Sequence, residues 1–134
     1  VSDRLTFDSE HIIAYFLGEP GGKIVRDYLT KIQKKEIAGF ISVINLAEVY
    51  YILYRMNPPL AEESCHVLNQ FGLTIMPIED DDLMRNAAKI KATHSLSLAD
   101  AFAVATAEKQ KSTLVIGSDK EFNGLITKLL KIRG

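Results

Sequence analysis

The chain is poor in the residues from which many small sites are built. It has one cysteine, Cys65, and three isolated histidines, His11, His66 and His94. A single thiol excludes an internal disulfide framework and fits a reducing cytosol. One cysteine with three scattered imidazoles does not make a zinc site of usual spacing either, so these four residues are read as packing or surface. No apolar run approaches the roughly 18–20 residues a membrane span needs. Val1-Ser2-Asp3-Arg4 lacks the basic start and apolar stretch of a secretory signal, and the expectation is a cytoplasmic protein without a membrane segment. An excess of positive charge is missing too: 16 Lys and Arg stand against 17 Asp and Glu. That balance argues against a broad basic face. Any nucleic-acid contact must come from local lysines or a bound cation, and should be modest and salt-sensitive.

What is present is an alternation of short apolar runs and longer helical patterns, the mark of a parallel sheet covered by helices. At 134 residues the chain is long enough for one core, and no repeat or linker divides it, so residues 1–134 are read as a single domain. Strands are predicted at Arg4–Phe7, Ala38–Val43, Leu73–Ile78 and Thr113–Ile116, with Leu129-Leu130-Lys131-Ile132 as a fifth. Helical patterns cover Ser9 to Leu17, capped by Ser9, then Ile24 to Ile32, Leu46 to Met56, Ala61–Phe71, Asp80–Thr93 and the alanine-rich Leu98–Gln110, with a last short helix after Asp119. Leu46 to Met56 is apolar almost all round, so it is deeply buried or meets a partner. Pro58-Pro59 is expected to stop it.

Four acids stand at informative places. Asp8 and Asp119 each follow a predicted strand, Glu48 falls in the first turn of the helix after strand two, and Asp100 opens the alanine-rich helix. In open α/β sheets the carboxyl ends of strands and the adjoining helix starts gather at one edge, where ligands bind. Asp8, Glu48 and Asp119 then converge, and Asp100 joins them if its helix starts at that edge. Clustered carboxylates repel unless something positive lies between them. A hard divalent cation answers that need and can activate a water for attack on a phosphate.

A plainer reading competes for the same residues. Ser97-Leu98-Ala99-Asp100 and Asn45-Leu46-Ala47-Glu48 both have capping-box spacing, and acids in a first turn favour a helix by about 0.3–1 kcal/mol. Asp119 can serve as a plain helix cap, and Asp8 as a turn residue. Capping and ligation are compatible; convergence separates the two readings, because capping does not require it.

Four stretches carry a resemblance. Phe7-Asp8-Ser9, Ile41-Ser42-Val43-Ile44-Asn45-Leu46-Ala47-Glu48-Val49, Leu96-Ser97-Leu98-Ala99-Asp100-Ala101-Phe102-Ala103-Val104-Ala105-Thr106-Ala107 and Gly117-Ser118-Asp119-Lys120-Glu121-Phe122 resemble, in order and spacing, the four motifs of the PIN domain, and within it the small toxins called VapC. The third stretch is the most specific match. The resemblance implies a three-layer α/β/α fold with a roughly five-stranded parallel sheet. It implies Asp8, Glu48, Asp100 and Asp119 as catalytic ligands of one or two Mg²⁺ or Mn²⁺ ions, with Ser9, Ser42 and Ser118 as hydroxyls behind them. The implied activity is hydrolysis of RNA by a metal-activated water. The implied partners are a second copy of the chain and a small antitoxin protein. The chain departs from the family at Glu10, where a small or neutral polar residue is usual, at Ser118, which replaces threonine, and at Thr6, which makes the first strand less apolar.

The remaining features carry less. Glu79-Asp80-Asp81-Asp82 reads as an acidic first turn rather than a metal cluster, and Pro20-Gly21-Gly22 as a turn or lid without P-loop spacing. Lys31, Lys34 and Lys35 read as a solvated face. Tyr50, Tyr51 and Tyr54 divide between core burial and a face for a dimer mate or antitoxin. Three other functions stay open at this level. One is a housekeeping PIN nuclease in RNA maturation, and another is an inactive PIN-like module that binds a protein partner. The third is a receiver or phosphatase with Asp8 as nucleophile, which finds Glu10 where a second aspartate is wanted and leaves Glu48 and Asp100 idle.

Overall fold

A computed structural model describes residues 3–117 and 129–132. Five strands form one sheet: β1 (Arg4–Phe7), β2 (Ala38–Ser42), β3 (Thr74–Met76), β4 (Thr113–Gly117) and β5 (Leu129–Ile132), in the order β3-β2-β1-β4-β5 with every pairing parallel. Among the described residues six helices accompany them: α1 (Ser9–Leu17), α2 (Gly22–Gln33), α3 (Val43–Met56), α4 (Pro58–Phe71), α5 (Asp81–Thr93) and α6 (Leu98–Lys109).

Alternation along β4 shows how the layers arise. Leu114 and Ile116 point into a core shared with α5 and α6, while Val115 between them enters the core built by α1 to α4. Helices cover both faces, and the expected three-layer α/β/α fold with a five-stranded parallel sheet is what forms. The sequence order reverses between β1 and β4, so the switch crevice opens above their carboxyl ends.

Several expected boundaries move for identifiable reasons. The helix anticipated from Leu46 begins at Val43, because Ser42 ends β2 and accepts a hydrogen bond from the Ile44 amide at 3.1 Å. Asn57 then closes α3 and opens α4 together. Pro58 and Pro59 occupy the first positions of α4, where a missing N–H costs nothing; they start the next helix as much as they stop the last. β3 is shorter than anticipated, at Thr74–Met76. Gly21 caps α2 in the left-handed region at φ 90°, and Gly22 lies against the α1 backbone, so backbone geometry accounts for the glycine pair. Lys31, Lys34 and Lys35 are exposed and just precede β2, at the amino edge of the sheet opposite the crevice. The helix anticipated after Asp119 lies outside the described residues.

Candidate active site

Asp8 is the residue at which β1 becomes α1. It is only 1% exposed, and its amide continues the β1–β4 ladder by donating to Val115 O at 3.4 Å. A carboxylate is therefore anchored at the mouth of the switch crevice by the strand itself. Ser9, anticipated as a cap, does something else: its hydroxyl donates to Glu48 Oε1. Asp8 holds the cap position, and its side chain makes no cap bond. The first and second acids are thus linked through a serine that follows one and binds the other.

Glu48 is the sixth residue of α3 and sits in its second turn, not its first. The capping-box reading of Asn45 to Glu48 fails for the same reason, since Ser42 is the cap. Asn45 is fully buried, and its Nδ2 donates to Ala99 O at 3.1 Å. That bond ties the first turn of α3 to the first turn of α6, one residue before Asp100. The far end of α6 is fixed too: Arg4, the first residue of β1, donates to Gln110 O at 2.8 Å. α6 therefore runs antiparallel to the strands, and its start lies at the carboxyl edge. Sequence left this condition for Asp100 open; geometry meets it. Ser97 caps α6 as expected, accepting from the Asp100 amide at 3.0 Å.

Asp8, Glu48 and Asp100 are brought to one edge, the first buried and the other two half-buried. Ser42 serves as the cap of α3 at the same edge. Asp119 and Ser118 lie outside the described residues. Among the described residues, no group of three or more His, Cys, Asp or Glu side chains forms a ready cage for an ion. Asp8, Glu48 and Asp100 offer only oxygen donors, the donor type that a hard cation takes while keeping part of its water. Asn45 is the residue that sequence reasoning missed. A buried amide on an otherwise apolar face was the available signal, and the capping-box spacing masked it.

The tyrosines divide as their helical positions require. Tyr50 packs against the core, stacks on Tyr54 with ring centroids 5.9 Å apart, and donates to Glu62, which pushes its pKa up to about 12. Tyr51 and Tyr54 are about half exposed, with Met56 beyond them. The acidic stretch at Asp80 is structural: Asp80 caps α5 through the Leu83 amide at 2.9 Å and pairs with Lys109 at 2.6 Å. The lysine beside it holds the Asp80 carboxyl below its usual range. No helix among the described residues is long and apolar enough to cross a membrane.

A doubly wound parallel sheet with acids at the carboxyl edge of its central strands defines a class: α/β proteins whose ligand crevice lies at the switch point. Within that class the PIN domain matches residues 5–125, and the chain belongs to the PIN-domain family. Comparison with curated proteins gives no match. Among solved structures, the fold is similar to VapBC2 from Rickettsia felis bound to a promoter DNA fragment, with TM-score 0.77, 14% identity, and 96% of this chain and 98% of that chain covered. A toxin–antitoxin complex from Klebsiella pneumoniae gives TM-score 0.72 at 20% identity, covering 95% of this chain and 96% of that one. VapC20 of Mycobacterium tuberculosis, described as a sarcin-ricin loop cleaving toxin, gives TM-score 0.66 at 16% identity, covering 82% and 86%.

Proposed function

We propose that the chain is a Mg²⁺- or Mn²⁺-dependent endoribonuclease and, within its family, the toxin of a VapBC-type pair, with residues 1–134 as one PIN domain. The observation that carries this reading is the pair of hydrogen bonds from Ser9 to Glu48 and from Asn45 to Ala99, which tie together at one sheet edge the elements that carry Asp8, Glu48 and Asp100. Helix capping alone does not require that convergence. Family membership supports the nuclease, and relatives of similar fold described as toxin–antitoxin complexes support the toxin arrangement.

In this reading Asp8, Glu48, Asp100 and Asp119 hold the cation, which when bound supplies Lewis acidity and a water of lowered pKa for attack on phosphorus. Ser9 holds one Glu48 oxygen and so fixes the direction of the other. Ser42 and Ser97 stiffen the helix starts that carry Glu48 and Asp100. Ser118 would orient Asp119 or contact phosphate. Without a cation the acids repel a phosphodiester, so RNA binding and metal binding are coupled. The exposed Tyr51 and Tyr54, beside Tyr50, form a face for a second copy or for an antitoxin. A cytoplasmic location belongs to the same reading.

The test is cleavage of labelled single-stranded RNA with Mg²⁺, Mn²⁺ or EDTA, wild type beside Asp100→Asn. Cleavage that requires both metal and Asp100 is expected, with a loss of at least about 100-fold in the variant. Equal cleavage by both proteins, or in EDTA, would sink the reading. Expression alone should arrest growth for a toxin, and normal growth would favour a housekeeping nuclease.

A further inference from the structure

We infer that Asn45 is a positioning residue that sets Asp100 against Glu48, an inference that rests on the nuclease reading above. The peptide unit between Ala99 and Asp100 is held at both poles. Its carbonyl accepts from Asn45 Nδ2 at 3.1 Å, and its N–H donates to Ser97 Oγ at 3.0 Å. Clamped in this way, the unit cannot rotate without breaking one of the two bonds, and the Asp100 Cα is fixed with it.

Asn45 also lies three residues before Glu48, on the same face of α3. A continuous chain of links results: Asp8 is bonded to Ser9, Ser9 to Glu48 through its hydroxyl, Glu48 to Asn45 through one helical turn, and Asn45 to the Asp100 peptide. Asn45 is the step that crosses from the helices on one face of the sheet to α6 on the other. The caps hold each acid on its own helix, and the Asn45 bond sets the two helix starts against each other.

Stability alone gives little reason for an amide at this position. Asn45 is 0% exposed, and its Oδ1 finds no hydrogen-bond partner among the described residues. Burying an amide half-satisfied costs free energy that an apolar residue of the same shape does not. Ala99 O is within α6, where the helical pattern supplies the Ala103 N–H, so that carbonyl does not depend on Asn45 for a partner. What the amide adds is direction, and the group it directs is a site carboxylate.

The experiment compares wild type, Asn45→Leu, Asn45→Ser and Asp100→Asn. Leucine keeps the volume without a donor, and serine is too short to reach Ala99 O. Mn²⁺ affinity is measured by calorimetry without RNA, kcat and KM on a labelled RNA, and melting temperature without metal. For Asn45→Leu we expect a melting temperature equal to or above wild type, Mn²⁺ affinity about 10-fold weaker and kcat at least about 10-fold lower, with KM within about twofold. Asn45→Ser should show the same two losses. A purely structural asparagine gives the opposite pattern, a lower melting temperature with affinity and kcat intact in the folded protein. That pattern overturns the assignment, as does failure of both Asn45 variants to fold. Asp100→Asn separates the levels: if it loses Mn²⁺ and cleavage while the Asn45 variants keep both, only the Asn45 inference falls. If wild type and Asp100→Asn bind Mn²⁺ alike and neither cleaves RNA, the nuclease reading falls and takes the inference with it.

Discussion

The hydroxyl of Ser9 donates to one oxygen of Glu48 and so fixes the direction of that carboxylate. Ser9 is 3% exposed, whereas Glu48 is half-buried. Losing the hydroxyl therefore leaves Glu48 within reach of water rather than stranded. Ser9→Ala should fold with an almost unchanged melting temperature, while Mn²⁺ affinity and RNA cleavage each fall by about 10-fold or more. Calorimetry and single-turnover cleavage check this, and unchanged values in both would show that the hydroxyl only fills space. The serine was legible in the sequence as a hydroxyl beside an acid. Its partner was not, because 39 residues separate Ser9 from Glu48 and no local pattern spans that distance.

Elements are fixed partly by caps and partly by contacts that leave no room for change. At the start of α2, a Cβ on Gly22 would lie 2.8 Å from Ala14 O and from the Tyr15 Cα. Both are backbone atoms and cannot swing aside. Gly22→Ala should destabilise the protein by about 1–3 kcal/mol, read by denaturant unfolding; a neutral result would mean that α1 and α2 can slide apart. The start of α5 gives a pH-dependent case. Asp80 has a lowered pKa, first because Lys109 hydrogen-bonds its carboxylate and then because the Leu83 amide does. A depressed carboxylate stabilises the fold above its unfolded pKa of about 3.9 and loses that contribution as pH falls through the lower folded value. Lys109 is raised by the same pair, so its contribution is complete below about 10.4 and fades as pH rises through the folded value. Asp80→Asn keeps the cap oxygen and removes the charge. Its melting temperature should sit slightly below wild type near neutral pH and converge with it in acid, and a gap that widened in acid would contradict this. The capping role of Asp80 was readable from its place before an apolar helix. Lys109 as its partner was not, because that ion pair joins α5 to α6.

At the scale of the molecule, the exposed aromatic end of α3 stands out from a helix otherwise committed to the core. Leu46, Val49 and Leu53 are buried while Tyr51, Tyr54 and Met56 face outward. For the proposed self-association, the double variant Tyr51→Lys with Tyr54→Lys should sediment as a single chain and wild type as a pair, both with the same melting temperature at low concentration. A wild-type protein that sediments as a single chain would assign the face to another partner.

The sequence by itself determined the alternation of strands and helices, the parallel sheet, and the acids that end a strand or sit near a helix start. Hydrophobic period, capping residues and turn chemistry are local, and they act wherever the chain goes. It misplaced the start of α3 by three residues because Asn45 to Glu48 imitates a cap. Only the completed chain shows Ser42 in that role and Asn45 buried against α6. The tertiary structure alone decided that α6 starts at the carboxyl edge, that Ser9 reaches Glu48, and that the first turn of α6 is tied to that of α3. These facts depend on how separate elements pack around β1 and β4, and the side chains that report them are far apart until the sheet has formed.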